Sequence, residues 1–201
     1  YTAFLLQTLE EVKDPATDER DYAILEYFQK VGPMDDKQWR AGLQVIKKTT
    51  THSLYRMMPR IFFEEAAGEA QQKTEKQRVD AFVEAVQNQE IGKPLPLGMD
   101  DSMELLLRSL KGYKTRARPW LAVYAYEKHR GLLKLEQPHK TMTSLVSLTD
   151  AAEEPAVKSK ANEWIAEIVK KSAPSYELSK VITRYLEAFE HAIGKEDDED
   201  E

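Results

Sequence analysis

Apolar residues recur along this chain at intervals of three and four, the spacing of helices buried along one side. Residues 2–13 put Phe4, Leu5, Leu9 and Val12 on one stripe, which Asp14 and Pro15 break. A second helix over 18–31 carries Tyr22, Leu25 and Phe28 and stops at Gly32 and Pro33, the usual order of helix exit signals. Asp35 can cap a third, in which Trp39, Leu43 and Ile46 share a face. After the polar break "TTTHS" comes the strongly apolar run "LYRMMPRIFFEEAAGEA". Pro59 within it marks either the first turn of a helix to about 70 or a kink between two short ones. Residues 71–90 predict a polar-faced helix with a buried stripe of Val79, Phe82, Val83 and Val86.

The segment "IGKPLPLGMDD" reads as a linker, because Gly and Pro crowd it. Asp101 then caps a helix bearing Met103, Leu106, Leu107 and Leu110, which Gly112 stops. Residues 113–118 form a basic loop, and Pro119 suits the first position of a helix over 119–130 that ends at Gly131. "LLKLEQPHKTMTSLVSLTD" predicts an extended connection and a short helix near 140–148. A further helix starts between Asp150 and Pro155 and aligns Val157, Ala161, Trp164, Ile165 and Ile168. The last helix has the cleanest stripe, Leu178, Val181, Ile182, Tyr185, Leu186, Phe189 and Ile193, capped by Ser175 and ended by Gly194.

These patterns predict an all-α protein, an irregular bundle of eight to ten helices, with no alternating run that reads as a strand. The expected organisation is an N-terminal helical half (1–90), a Pro/Gly linker (91–100), a C-terminal helical half (101–194) and an acidic tail (195–201). No internal repeat at solenoid spacing is present. The 201 residues suit one large domain or two small ones. A charged fraction of 32% fits helices with wide solvated faces.

There is no cysteine, which excludes disulfides, thiolate metal sites and a Cys nucleophile and suits a reducing compartment. No apolar run approaches the roughly 18 residues a spanning helix needs, and no signal peptide is visible. The expectation is a soluble, intracellular protein of the cytoplasm, or of an organelle matrix after removal of a targeting segment.

Chemistry-bearing motifs are missing. No glycine precedes the Lys-Ser/Thr pair of a phosphate loop, and no serine sits in a nucleophile elbow. His52, His129, His139 and His191 lack metal-ligand spacing, and the Glu187–His191 pair supplies too few donors. Adjacent helical acids such as Glu64 and Glu65 point about 100° apart and do not make an acid–base pair. His52 fits a polar turn, and His129 a helix end where positive charge is tolerated. Trp39, Trp164, Tyr185 and Phe189 read as core. No catalytic residue, cofactor or metal is expected.

Charge changes this picture. The chain carries a net −6, yet Arg108 to Lys140 holds nine Lys/Arg against two acids. Within it, "KGYKTRARPWLAVYAYEKHRG" mixes cations with aromatic rings, and the chain closes on "EDDEDE". Arg108, Lys111, Lys114, Arg116, Arg118, Trp120, Tyr124, Lys128 and Arg130 are the candidate partner- or anion-binding residues. Cations neutralise carboxylates or phosphates, aromatic rings stack on bases or guanidinium planes, and a helix N-terminus adds oriented N–H groups. The bland reading of the same segment is a buried aromatic side with a solvated or internally paired basic side.

The expected function is therefore non-enzymatic: a structural or adaptor subunit that docks on other protein subunits through helical faces, the basic loop and the acidic tail. A nucleic-acid-binding protein using 108–130 ranks second, because the net charge opposes approach to a polyanion. An enzyme or small-molecule carrier ranks third, with an inter-helix pocket lined by Tyr55, Met57, Met58, Phe62 and Phe63.

Overall fold

A computed structural model describes residues 36–47, 69–91, 96–111 and 118–198. The first two expected helices, the apolar run around Pro59, and the loop residues Tyr113, Lys114 and Arg116 lie outside the described residues. The fold is all-helical: seven α-helices and one short 3-10 turn, with no strand among the described residues. The chain divides into two compact units, Tyr1–Lys134 and Leu135–Glu201.

The described part of the first unit holds α1 (Asp36–Lys47), α2 (Glu69–Gln87), α3 (Met99–Lys111), α4 (Pro119–His129) and the 3-10 turn Arg130–Leu132. Helix α3 packs on α4, and α2 packs on both. The stripe read for α2 is the one buried, with Val79, Phe82, Val83 and Val86 all shielded from solvent. It meets Met103, Leu106 and Leu110 of α3 and Leu121 and Ala125 of α4 as parts of the same buried core. Ser102 and Ser109 are buried too, and each hydroxyl donates back to its own helix, to Met99 O at 2.9 Å and Leu105 O at 2.6 Å. Helix α1 reaches α2 where the Arg78 guanidinium lies 5.7 Å from the Trp39 ring, and the Lys47 ammonium pairs with Glu90 at 2.7 Å.

The second unit is a helical hairpin with a third helix against it. Helix α5 (Pro138–Ala151) and α6 (Pro155–Lys171) are joined by only three residues, which favours an antiparallel pair. Their inner faces bury Met142, Leu145 and Leu148 against Val157, Trp164, Ile165 and Ile168. Helix α7 (Tyr176–Asp198) packs on α5 through its first turns, where Leu178 is buried. The Tyr185 hydroxyl donates to Asn162 Oδ1 on α6 at 2.8 Å.

Prolines start α4, α5 and α6, where a first-turn residue has no N–H to lose. Ser175 caps α7 as expected: its Oγ accepts the Leu178 N–H at 3.1 Å, and its carbonyl accepts the Ser179 N–H at 3.0 Å.

Several boundaries differ from the pattern. Helix α3 begins at Met99, so Asp101 lies in its first turn and the Gly98 carbonyl accepts the Ser102 N–H at 2.9 Å. Helix α5 is longer than 140–148, because Pro138 starts it earlier and the chain turns extended only at Ala152. Helix α7 continues through Gly194 to Asp198, since an isolated Gly costs a helix only about 1 kcal/mol. Helix α4 gives way to the 3-10 turn before Gly131.

The segment 91–100 lies within the first unit; in it Ile91 and Leu97 are buried, whereas Pro96 and Gly98 are exposed. The Leu97 N–H donates to Ile91 O at 2.7 Å. Helix α2 ends in a turn with Gln89 at φ 59°; Glu90 N–H donates to Ala85 O and Gln89 N–H to Val86 O, both at 2.9 Å. This is a Schellman closure made without the usual glycine.

Candidate docking surface

The basic segment runs from the end of α3 to the 3-10 turn, and its residues fall into two groups. Arg118, Tyr124 and Lys128 are engaged inside the chain. Arg108 and Arg130 lie on the surface, Arg108 with a 61% exposed side chain that reaches Glu104 at 3.4 Å.

Arg118 sits at the base of the loop. Its N–H donates to Leu110 O at 2.7 Å, tying the end of α3 to the start of α4 across residues 111–117. Its carbonyl accepts the Leu121 and Ala122 N–H groups, both at 3.0 Å, and so opens α4. Its side chain is buried, with Nε 3.6 Å from Glu75 Oε1 on α2, where the carboxylate is only 2% exposed. A buried pair of this kind holds its geometry because loss of either partner strands the other charge away from water. Neither Glu75 nor the buried Arg78 was singled out in the sequence. They lie four residues before Val79 and Phe82, so the helical period carries them onto the buried side of α2 although their charge reads as solvated.

The second internal cluster centres on Asp80. Tyr124, Lys128 and His129 occupy i, i+4 and i+5 on α4, and all three reach this carboxylate on α2. The Tyr124 hydroxyl lies 2.9 Å from Oδ2 and 3.1 Å from Oδ1, Lys128 Nζ lies 2.7 Å from Oδ2, and His129 Nε2 lies 2.9 Å from Oδ1. Lys128 also donates to the Tyr124 oxygen at 3.0 Å. Burial alone raises the Asp80 pKa. The bonds from Lys128, Tyr124 and His129 outweigh that and hold it below the ordinary 3.8. The bond to Asp80 pushes Lys128 above its ordinary 10.5, and burial pushes Tyr124 above 10.0.

Asp80 is thus ionised, Lys128 charged and Tyr124 protonated at neutral pH. A nucleophilic lysine or a tyrosine base needs the opposite shift. The cluster works as a clasp between α2 and α4. His129 is the last residue of α4, at a helix end as expected, and it is nearly buried and bonded to Asp80. The signal for this cluster was the i, i+4, i+5 register on α4; its partner 44 residues earlier carried none.

The Tyr124 ring also lies between two ammonium groups, Lys76 at 5.1 Å and Lys128 at 5.4 Å from its centre. Trp120 is half-buried at the start of α4. Lys111 is the last residue of α3.

The exposed cations continue past α4. Between Lys128 and Lys134 the chain carries three cations and no acid. Leu132, 40% exposed, sits between Arg130 and Lys134, both on the surface. The Lys134 N–H donates to Asp100 Oδ1 at 2.9 Å, which anchors this turn to α3.

No group of three or more metal-ligating side chains occurs among the described residues. No described helix is long and apolar enough to cross a membrane. The pocket residues Tyr55, Met57, Met58, Phe62 and Phe63 lie outside the described residues. Comparison of the chain with protein-family models, with curated proteins and with solved structures finds no match.

Proposed function

We propose that this protein is a non-enzymatic structural or adaptor subunit, a bundle of eight to ten helices that docks on other proteins through surfaces of opposite charge. The observation that carries this reading is the division of labour within the basic segment. Buried or clasped residues (Arg118, Tyr124, Lys128 and His129) fix α4 to α2, while Arg108 stands at the surface of α3 and Arg130 and Lys134 stand at the surface on either side of an exposed Leu132. Lys114 and Arg116 add two cations to the segment that joins α3 to α4, and Lys111 adds one at the end of α3. An apolar anchor rimmed by charge is the usual composition of a docking patch: the anchor supplies affinity, and the charges supply orientation and encounter rate. The acidic C-terminal block is the complementary element. The lack of cysteine fits work in a reducing compartment.

The test is affinity purification of the tagged full chain from native extract at low and moderate salt, with and without nuclease. A fixed set of co-purifying proteins, insensitive to nuclease and weakened by salt, is expected. Retention of nucleic acid that carries those proteins with it overturns the reading in favour of nucleic-acid binding.

A further inference from the structure

We infer that Leu135 is a strained hinge between the two compact units, and that its relaxation re-aims one unit relative to the other. The boundary between the units falls between Lys134 and Leu135. Five residues, 133–137, connect the 3-10 turn to α5. Leu135 takes φ 52°, in the left-handed region. There the Cβ of an L-residue crowds the following carbonyl oxygen. The position suits Gly or Asn and disfavours a leucine roughly 5- to 30-fold.

Gln89, at φ 59°, is the other non-glycine residue with a positive φ among the described residues. It closes α2, where its own N–H and that of Glu90 donate to helix carbonyls and offset the strain. Leu135 closes no helix, and its N–H and carbonyl make no backbone hydrogen bond among the described residues. The residue is half-buried, between exposed Lys134 and Glu136.

The flanks explain why the bend falls here. Leu133 is extended, at φ −78° and ψ 137°, and its N–H donates to Arg130 O at 3.1 Å. The Lys134 N–H donates to Asp100 Oδ1 at 2.9 Å, so the first unit holds the chain up to that peptide. On the far side Gln137 precedes a proline, which disfavours helical geometry there. It sits at φ −127° and ψ 70°, and its carbonyl accepts the Lys140 N–H at 3.0 Å. Pro138 fixes the next φ. Rotation that neither flank absorbs is left to Leu135 and Glu136. A strained backbone position held only by its surroundings is the kind that switch regions use. Return of Leu135 to negative φ releases the strain, and a change of φ at one connecting residue swings everything beyond it.

The chain has no cysteine, so Gln77→Cys and Lys158→Cys, at exposed helix positions of different units, direct two spin labels to those sites alone. Pulsed electron resonance on the labelled full chain then gives the distribution of distances between the units. Leu135→Asn tolerates the left-handed region, so the main wild-type distance is expected to gain about threefold or more over the rest of the distribution. Leu135→Pro fixes φ at about −65° and forbids that region, so the main distance is expected to move away from the wild-type one. Proline removes no backbone hydrogen bond there, and both variants are expected to keep wild-type helical circular dichroism. A wild-type distribution in either variant overturns the inference, as does a loss of helical signal in Leu135→Pro.

Discussion

Replacing Asp80 by alanine takes the acceptor away from Tyr124, Lys128 and His129 at once. Lys128, with its side chain 49% exposed, turns to water, so its pair contributes about 0.2–1 kcal/mol. His129 has an 11% exposed side chain and cannot do the same. A hydrogen bond to an ionised carboxylate contributes ~1.5–3 kcal/mol, and the half-buried Tyr124 hydroxyl adds a smaller share. Together the substitution costs about 3 kcal/mol. At ~2–4 °C per kcal/mol for a chain of this size, the melting point falls by roughly 6–12 °C.

The pH dependence has a fixed sign. Because the folded Asp80 pKa lies below 3.8, its contribution is complete above that value and is lost as pH falls through the folded pKa. Urea unfolding of wild type, Asp80→Ala, Tyr124→Phe and the double variant, followed by circular dichroism, measures each term. The gap between wild type and Asp80→Ala is expected to be constant from pH 5 to 8 and to close below about pH 4. The double-mutant coupling of Asp80 with Tyr124 is expected near 1 kcal/mol. A gap under about 0.5 kcal/mol, or one that persists undiminished to pH 3, refutes the clasp.

Other expectations follow from single features. Arg118→Met breaks the buried pair with Glu75 and costs ~3–5 kcal/mol, whereas Glu75→Leu with Arg118→Met is close to neutral; equal losses in chemical denaturation contradict this. Gln89→Gly relieves a left-handed backbone and stabilises the protein by about 1 kcal/mol in urea melts; destabilisation rejects the turn assignment. Trp164→Ala costs ~3–5 kcal/mol and exposes the core between α5 and α6; an unshifted melting point contradicts that packing.

The sequence carried the helices and their inner faces because burial imposes a period, and that period is local. The stripes of α1, α2 and α6 and the cap at Ser175 are where the pattern puts them. Helix ends were less legible. Gly194 is tolerated inside α7, and the closure at Gln89 uses a residue with no turn signature. Buried charge was not legible at all. Glu75 and Arg118 read as solvated because nothing local tells a charged residue that its partner lies about 40 positions away on a packed helix. The basic segment was conspicuous by composition, yet only the three-dimensional arrangement separates the cations that hold the fold from those that face outward.

Retention of native-extract proteins by the full chain, compared with a variant carrying Arg108→Glu and Arg130→Glu, tests the docking account most directly. The account predicts a defined set of proteins held by the wild type at low salt and lost from the variant, while both keep the same helical circular dichroism. The same set bound equally by the two chains contradicts it.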